Sequence, residues 1–129
     1  MPSTVVAPRV PTLVLEPSEL APSLARRFVG VWFREWGISE FADALVVVSE
    51  LVTNSLLHGD GTIVVRVVRD GRDGRPVIEV QDDGAGRPEV QPENCAATSG
   101  RGLLMVSLLA LDWGTRLVPD GGKVTWAKC

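Results

Sequence analysis

The stretch Glu50-Leu51-Val52-Thr53-Asn54-Ser55-Leu56-Leu57-His58 decides how this chain is read, because it sets three polar residues at intervals of four on an otherwise apolar segment. Side chains four apart share one side of a helix, so Glu50, Asn54 and His58 project as a single stripe. The surrounding run from Phe41 to Leu57 is apolar around most of its circumference, which predicts a helix largely buried in a core. Taking a carboxylate and a carboxamide out of water without partners is costly. The stripe therefore meets either internal hydrogen-bond partners or a polar ligand cavity.

Upstream, Met1 to Pro11 (residues 1–11) is proline-rich and without amphipathic period, and reads as a loose arm; the folded domain is expected to span residues 12–129, starting with a strand from Thr12 to Glu16. Pro17-Ser18-Glu19 opens a helix with Ser18 as N-cap, and Leu20, Leu24, Phe28, Val31 and Trp32 recur at helical spacing up to Trp36-Gly37. Ser39 can cap the buried helix that follows. Beyond Gly59 the period changes to alternation: Thr62 to Arg69 and Pro76 to Asp82 are β-branched runs joined by a hairpin connection, Asp70 to Arg75. A long polar loop rich in Gly, Pro, Asn, Ser and Thr runs to Gly100, and connections of that length inside a domain are commonly functional. Leu103 to Leu111 reads as a short helix, and Trp113 to Val118 with Lys123 to Lys128 as a last hairpin. The order predicts an α+β fold in two layers, a mixed or mostly antiparallel sheet with about three helices on one face. Neither a GxxxxGK[ST] nor a GxGxxG phosphate motif is present.

The chain has 129 residues, 45% hydrophobic and 22% charged, with a formal net charge of −3. This composition suits one soluble domain with its own core, and it gives no basic footprint for a nucleic-acid backbone. No export signal and no membrane span are expected, hence a cytoplasmic location in which Cys95 and Cys129 stay unpaired. Trp32 with Trp36, and Trp113 with Trp126, read as core or dimer contacts.

Two further segments carry chemistry. Asp82-Asp83-Gly84-Ala85-Gly86 stands where a strand leaves the core, and a half-buried carboxylate there can accept a hydrogen bond from the exocyclic amino group of adenine while rejecting the oxygen of guanine. Gly84 and Gly86 allow positive φ and close backbone approach to a ring; alternatively the motif is an ordinary turn. Gly100-Arg101-Gly102-Leu103 brings glycine-rich backbone to a helix start, where free N–H groups and the helix dipole favour phosphate oxygens, and Arg101 adds a charge suited to a terminal phosphate. The same glycines could serve steric ends alone. Asn54 offers one neutral oxygen to a Mg2+ held mainly by nucleotide, and Glu50 can accept a proton from an attacking hydroxyl.

In order and spacing the three segments resemble the GHKL superfamily of ATPases and kinases. Glu50 to His58 is similar to its N box, Asp82 to Gly86 to its G1 box, Gly100 to Leu103 to its G2 box, and the loop between the last two to its ATP lid. The resemblance implies the two-layer Bergerat ATP-binding fold, with ATP and Mg2+ as cofactors. It implies Asn54 as the Mg2+ ligand, Asp82 on the adenine amino group, and Gly84 and Gly86 around the base. His58, Gly100, Arg101, Gly102 and Leu103 fall within its nucleotide-binding boxes, the glycines and Arg101 meeting the phosphates. Thr125 would hold Asp82 through water, although related chains more often have the threonine where Val124 stands. Glu50 would be the catalytic carboxylate of the kinase members. The chain has no room for a phospho-accepting helix hairpin or a transducer domain, which leaves a resemblance to the stand-alone anti-sigma-factor kinases of the RsbW and SpoIIAB type, abundant in actinobacteria. This implies a serine/threonine kinase that binds a sigma factor and phosphorylates an anti-anti-sigma (STAS-like) protein, with a homodimer through the first strand and helix. Two other readings stay open: a non-catalytic ATP-binding interaction module, and an interaction domain whose pocket is filled by its own side chains.

Overall fold

A computed structural model describes residues 10–84, 98–119 and 121–129, the side chains of 98–102 excepted. In chain order it has β1 (Thr12–Leu15), α1 (Ala21–Glu35), α2 (Ala42–His58), β2 (Ile63–Arg69), β3 (Pro76–Asp82), α3 (Thr98–Leu109), β4 (Asp112–Leu117) and β5 (Lys123–Lys128). The five strands form one sheet in the order β1-β2-β3-β5-β4. The sheet is not mixed: all its pairings are antiparallel. Each of β1–β2, β2–β3 and β4–β5 is joined in the antiparallel sense, and β5 enters beside β3 with the opposite direction as well. The helices cover one face, and the fold is the expected α+β sandwich.

Alternation along the strands sorts residues between the faces. Ile63, Val65 and Val67 of β2, Ile78 and Val80 of β3, and Ala127 of β5 are buried under the helices. Against them lie Ala44, Val47, Val48, Leu51 and Val52 of α2, together with Val106 of α3. Three consecutive valines are poor helix formers by propensity, but burial of Val47 and Val48, with Val46 left at the surface, outweighs that preference in α2.

The buried side of α1 differs from the expected one. Ala21, Ala25, Val29 and Phe33 form its inner stripe at intervals of four, while Leu20, Leu24 and Val31 are exposed. The two alanines are fully buried where α1 packs chiefly along α2, and Phe33 at the far end of the stripe is stacked on Trp36 and edge-on to Phe41. The caps differ too. The Ser18 hydroxyl accepts from the Leu20 N–H, but α1 begins at Ala21, with proline in its first turn; α2 begins after Phe41 without a side-chain cap, so Ser39 does not serve. Gly37, at φ +77°, turns the chain between them. The third correction is α3, which starts at Thr98 rather than Leu103, so that Gly100 and Gly102 lie inside its first turns.

The outer face of the sheet is laced by charge. Glu79 of β3 accepts from Arg116 of β4 at 3.0 Å and stands 3.9 Å from Arg66 of β2. Lys128 bridges Asp70 at 3.0 Å and Asp73 at 2.6 Å in the β2–β3 turn. The Arg72 backbone N–H, its guanidinium and Lys128 together hold the Asp70 carboxyl well below the usual range. Trp126 lies across Gly114, where a Cβ would come within 2.9 Å of its ring, so this tryptophan sits outside the core while Trp113 packs against it. Cys129 is unpaired and its thiol is pushed up to about 11 by burial; Cys95 lies outside the described residues.

Phe33→Ala, which empties the far end of the α1 stripe, is expected to lower unfolding free energy by about 3–5 kcal/mol. Leu20→Ala is expected to stay within about 0.5 kcal/mol of the parent, as an exposed substitution does. Urea unfolding of the two variants checks the assignment of the face.

Candidate functional site

The polar stripe of α2 runs from the core towards the surface. Glu50 is half-buried, Asn54 is 5% exposed, and His58, the last residue of the helix, is exposed. Asn54 receives no side-chain hydrogen bond from any described residue, although its position among Leu51, Val52 and Ser55 is largely closed to solvent.

The centre of the arrangement is Asp82, at the end of β3. Its carboxylate is 2% exposed and bonded on both oxygens. Oδ2 accepts from the Ser55 hydroxyl at 2.6 Å; Oδ1 accepts from the Gly84 N–H at 2.8 Å and from the Lys123 ammonium at 2.9 Å. Lys123 is itself 2% exposed. A lysine is almost never fully buried unless paired, and this one is paired because β5 enters the sheet beside β3 with Lys123 directly opposite Asp82. The Ser55 bond ties α2 to β3, and since Ser55 follows Asn54, the helix carrying the stripe is held against the strand carrying the carboxylate. α3, which bears Gly100, Arg101 and Gly102, packs along α2.

Space at this corner is tight at Gly84 and closed to a side chain at Gly59. Gly84 does not have positive φ, contrary to one reason for expecting it; a Cβ there would lie 3.0 Å from Asp82 Oδ1 and 3.1 Å from Lys123 Nζ. Gly59 has φ −88°, which any residue can adopt, yet a Cβ would come within 2.5 Å of the Asp82 carboxyl carbon and 2.7 Å of the Ser55 carbonyl oxygen. Next to it, the Asp60 carbonyl accepts from the Asp83 N–H at 2.8 Å, which fixes the end of β3 to the turn after α2.

Thr125 is 4% exposed and shares the helix-facing side of β5, opposite Val80 and next along that face from the Lys123–Asp82 pair; the groups touching the carboxylate among the described residues are those of Ser55, Gly84 and Lys123. Val124 pairs with Gln81 on the other face. Leu103 is 1% exposed and packs as a core residue of α3. Gly86 and the loop from Arg87 to Ala97 lie outside the described residues, as do the side chains of Ser99 and Arg101. Sequence reasoning missed Lys123, Ser55 and Gly59. The available signal for Lys123 was its place as the first residue of the closing strand, a polar residue at a position whose alternation points inward.

Residues 14–128 match the family model described as the histidine kinase-like ATPase domain, and the chain belongs to that family, a class of ATP-binding domain. Among solved structures it is similar to the crystal structure of the RsbU and RsbW domains of Rv1364c from Mycobacterium tuberculosis, with a TM-score of 0.61 and 23% identity, covering 92% of this chain. It spans 32% of that chain's length, and at this identity the likeness is one of fold. No protein with a curated description matches the chain. Among the described residues, no helix is long and apolar enough to cross a membrane, and no cluster of His, Cys, Asp and Glu forms a metal cage.

Breaking the buried pair on one side is expected to be severe: Asp82→Ala, leaving an ammonium without its counter-ion, should cost about 3–5 kcal/mol of stability, whereas Asp82→Leu combined with Lys123→Met should recover much of the loss. Chemical denaturation of the single and double variants measures this. Gly59→Ala should cost about 1–3 kcal/mol by overpacking against the carboxylate. Gly71→Ala, where nothing lies within 4 Å of the added methyl, is the control in the same thermal melts and should be close to neutral.

Proposed function

We propose that this chain is a Mg-ATP-dependent regulatory serine/threonine protein kinase of the anti-sigma-factor type, one that binds a sigma factor and phosphorylates a STAS-like anti-anti-sigma protein. The observation that carries the reading is the Ser55–Asp82 bond at 2.6 Å, which fastens the helix bearing Glu50 and Asn54 to the strand end bearing the buried carboxylate, within a histidine kinase-like ATPase domain.

The donor set fits the cofactors. Three of the roughly four acceptor positions of the Asp82 carboxylate are taken, and the remaining one, on Oδ2, suits the amino group of adenine. Asn54 supplies a single neutral oxygen from a nearly closed position, the kind of ligand Mg2+ accepts when phosphate and water fill the rest of its shell. The metal, when bound, neutralises charge on the phosphates. The first turn of α3, which holds Gly100, offers free backbone N–H groups to phosphate oxygens, and Arg101 brings a fixed positive charge; the Gly102 N–H, on the fifth helical residue, falls beyond the four free ones. Glu50 lies one turn from Asn54 and accepts the proton of the partner's hydroxyl as its oxygen bonds to the terminal phosphorus and the bond to the ADP oxygen breaks. Most of the rate gain comes from placement and charge stabilisation.

In calorimetry, the parent chain should bind Mg-ATP, and Asn54→Ala should weaken that binding by roughly tenfold or more while EDTA lowers the parent to a similar level. Glu50→Gln should keep the affinity and lose roughly a hundredfold or more of phosphate transfer to an antagonist protein. Binding without any transfer by the parent would leave the non-catalytic interaction module; absence of binding would end the ATP reading.

A further inference from the structure

Sequence alone makes Asp82 the reader of the base. The geometry points to a second one: we infer that Lys123 donates to the ring acceptor adjoining the exocyclic amino group of the purine, so that the site reads a donor and its neighbouring acceptor together. The inference rests on the ATP reading above and concerns the same site.

An ammonium has three N–H donors and no acceptor. One of the three, from Lys123 Nζ, goes to Asp82 Oδ1 at 2.9 Å, and no other described residue accepts from this nitrogen, although the side chain is 2% exposed. A buried cation retaining unspent donors is costly unless another acceptor reaches it. On the Asp82 side the balance is the reverse. Gly84 and Lys123 occupy Oδ1 and Ser55 occupies half of Oδ2, so the carboxylate has one acceptor position to offer. The pair thus presents one acceptor beside spare donors.

The 6-amino/N1 edge of adenine has the matching order, a donor next to a ring nitrogen with a free lone pair. Guanine can place its O6 near the ammonium, but its N1–H and 2-amino group bring two donors against a single open acceptor, and one remains unsatisfied. The low exposure of both groups strengthens each bond to the base and raises the cost of a mismatch. Among the described residues, the backbones of Gly59 and Gly84 lie against the pair with no side chain of their own, which leaves the edge of a flat ring room to approach.

The test compares ATP with 1-deaza-ATP, which keeps the amino group and replaces N1 with a C–H, by calorimetry on the full chain with Mg2+. A charged hydrogen bond in a desolvated site predicts roughly tenfold or weaker binding of the analogue. Lys123→Met should close most of that gap. The chain has two lysines, Lys123 and Lys128, so selective 15N labelling of lysine gives an independent readout on the unsubstituted protein should the Met variant fail to fold. The Lys123 Nζ resonance should shift with ATP and move little with 1-deaza-ATP, while that of Lys128 on the outer face stays in place. Equal affinity for the two nucleotides, or an Nζ shift indifferent to the N1 replacement, overturns the role of Lys123 and leaves ATP binding standing. Failure of ATP itself to bind overturns the functional reading and this inference with it.

Discussion

A carboxylate removed from water has to be answered by donors, and in this molecule the answer comes from three separate pieces of chain. Asp82 is bonded by Ser55 of α2, by the backbone just beyond β3, and by Lys123 of β5. The rest of the helix-facing side of the sheet is filled mainly by valine, isoleucine and alanine, so polarity is confined to one corner of an apolar layer. That confinement depends on strand order. β5 inserts beside β3 rather than following β4 outward, and only this places the first residue of the last strand across from the last residue of β3. The order of strands and the chemistry of the corner are one constraint seen at two scales.

Much of the architecture was legible. The change from a helical period to alternation at Gly59 marked the passage from α2 to β2, and β3 and β5 run between the residues that alternation alone indicated. The face of α1 was misread because large side chains were weighted above small ones. Ala21 and Ala25 are the inward residues since close approach of α1 to its neighbours, α2 chief among them, rather than side-chain volume, satisfies packing there. The start of α3 was set too late for a related reason. Thr98-Ser99-Gly100-Arg101-Gly102 has the composition of a loop, yet its backbone continues the hydrogen-bonded helix begun by the apolar residues downstream.

For the site, local motifs supplied a list of residues but not their partners. Asn54 and Asp82 could be picked out because a polar group on an apolar helix, or at the mouth of a strand, stands out against its neighbours. Lys123 shows locally as a polar residue at an inward position of the closing strand, but its partner does not, since the pairing joins segments forty-one positions apart. Gly59 illustrates the same limit. Its dihedral angles are ordinary, and only the carboxyl group 2.5 Å from a hypothetical Cβ shows why nothing larger fits. Contacts distant in sequence carry no local signature, which is why function-bearing positions of this sort are found by geometry.

The two sides of the sheet hold their charges under opposite conditions. Glu79 with its flanking arginines, and Lys128 with its two aspartates, stand at or near water, where mobile ions compete for them, whereas Asp82 and Lys123 are shut away from bulk electrolyte. Ionic strength can therefore loosen the exterior lattice without weakening the interior pair to the same degree. One β-sheet thus carries an ionic lattice that electrolyte can loosen on its outer side and, beneath the helices, a charged pair that keeps its form as salt rises.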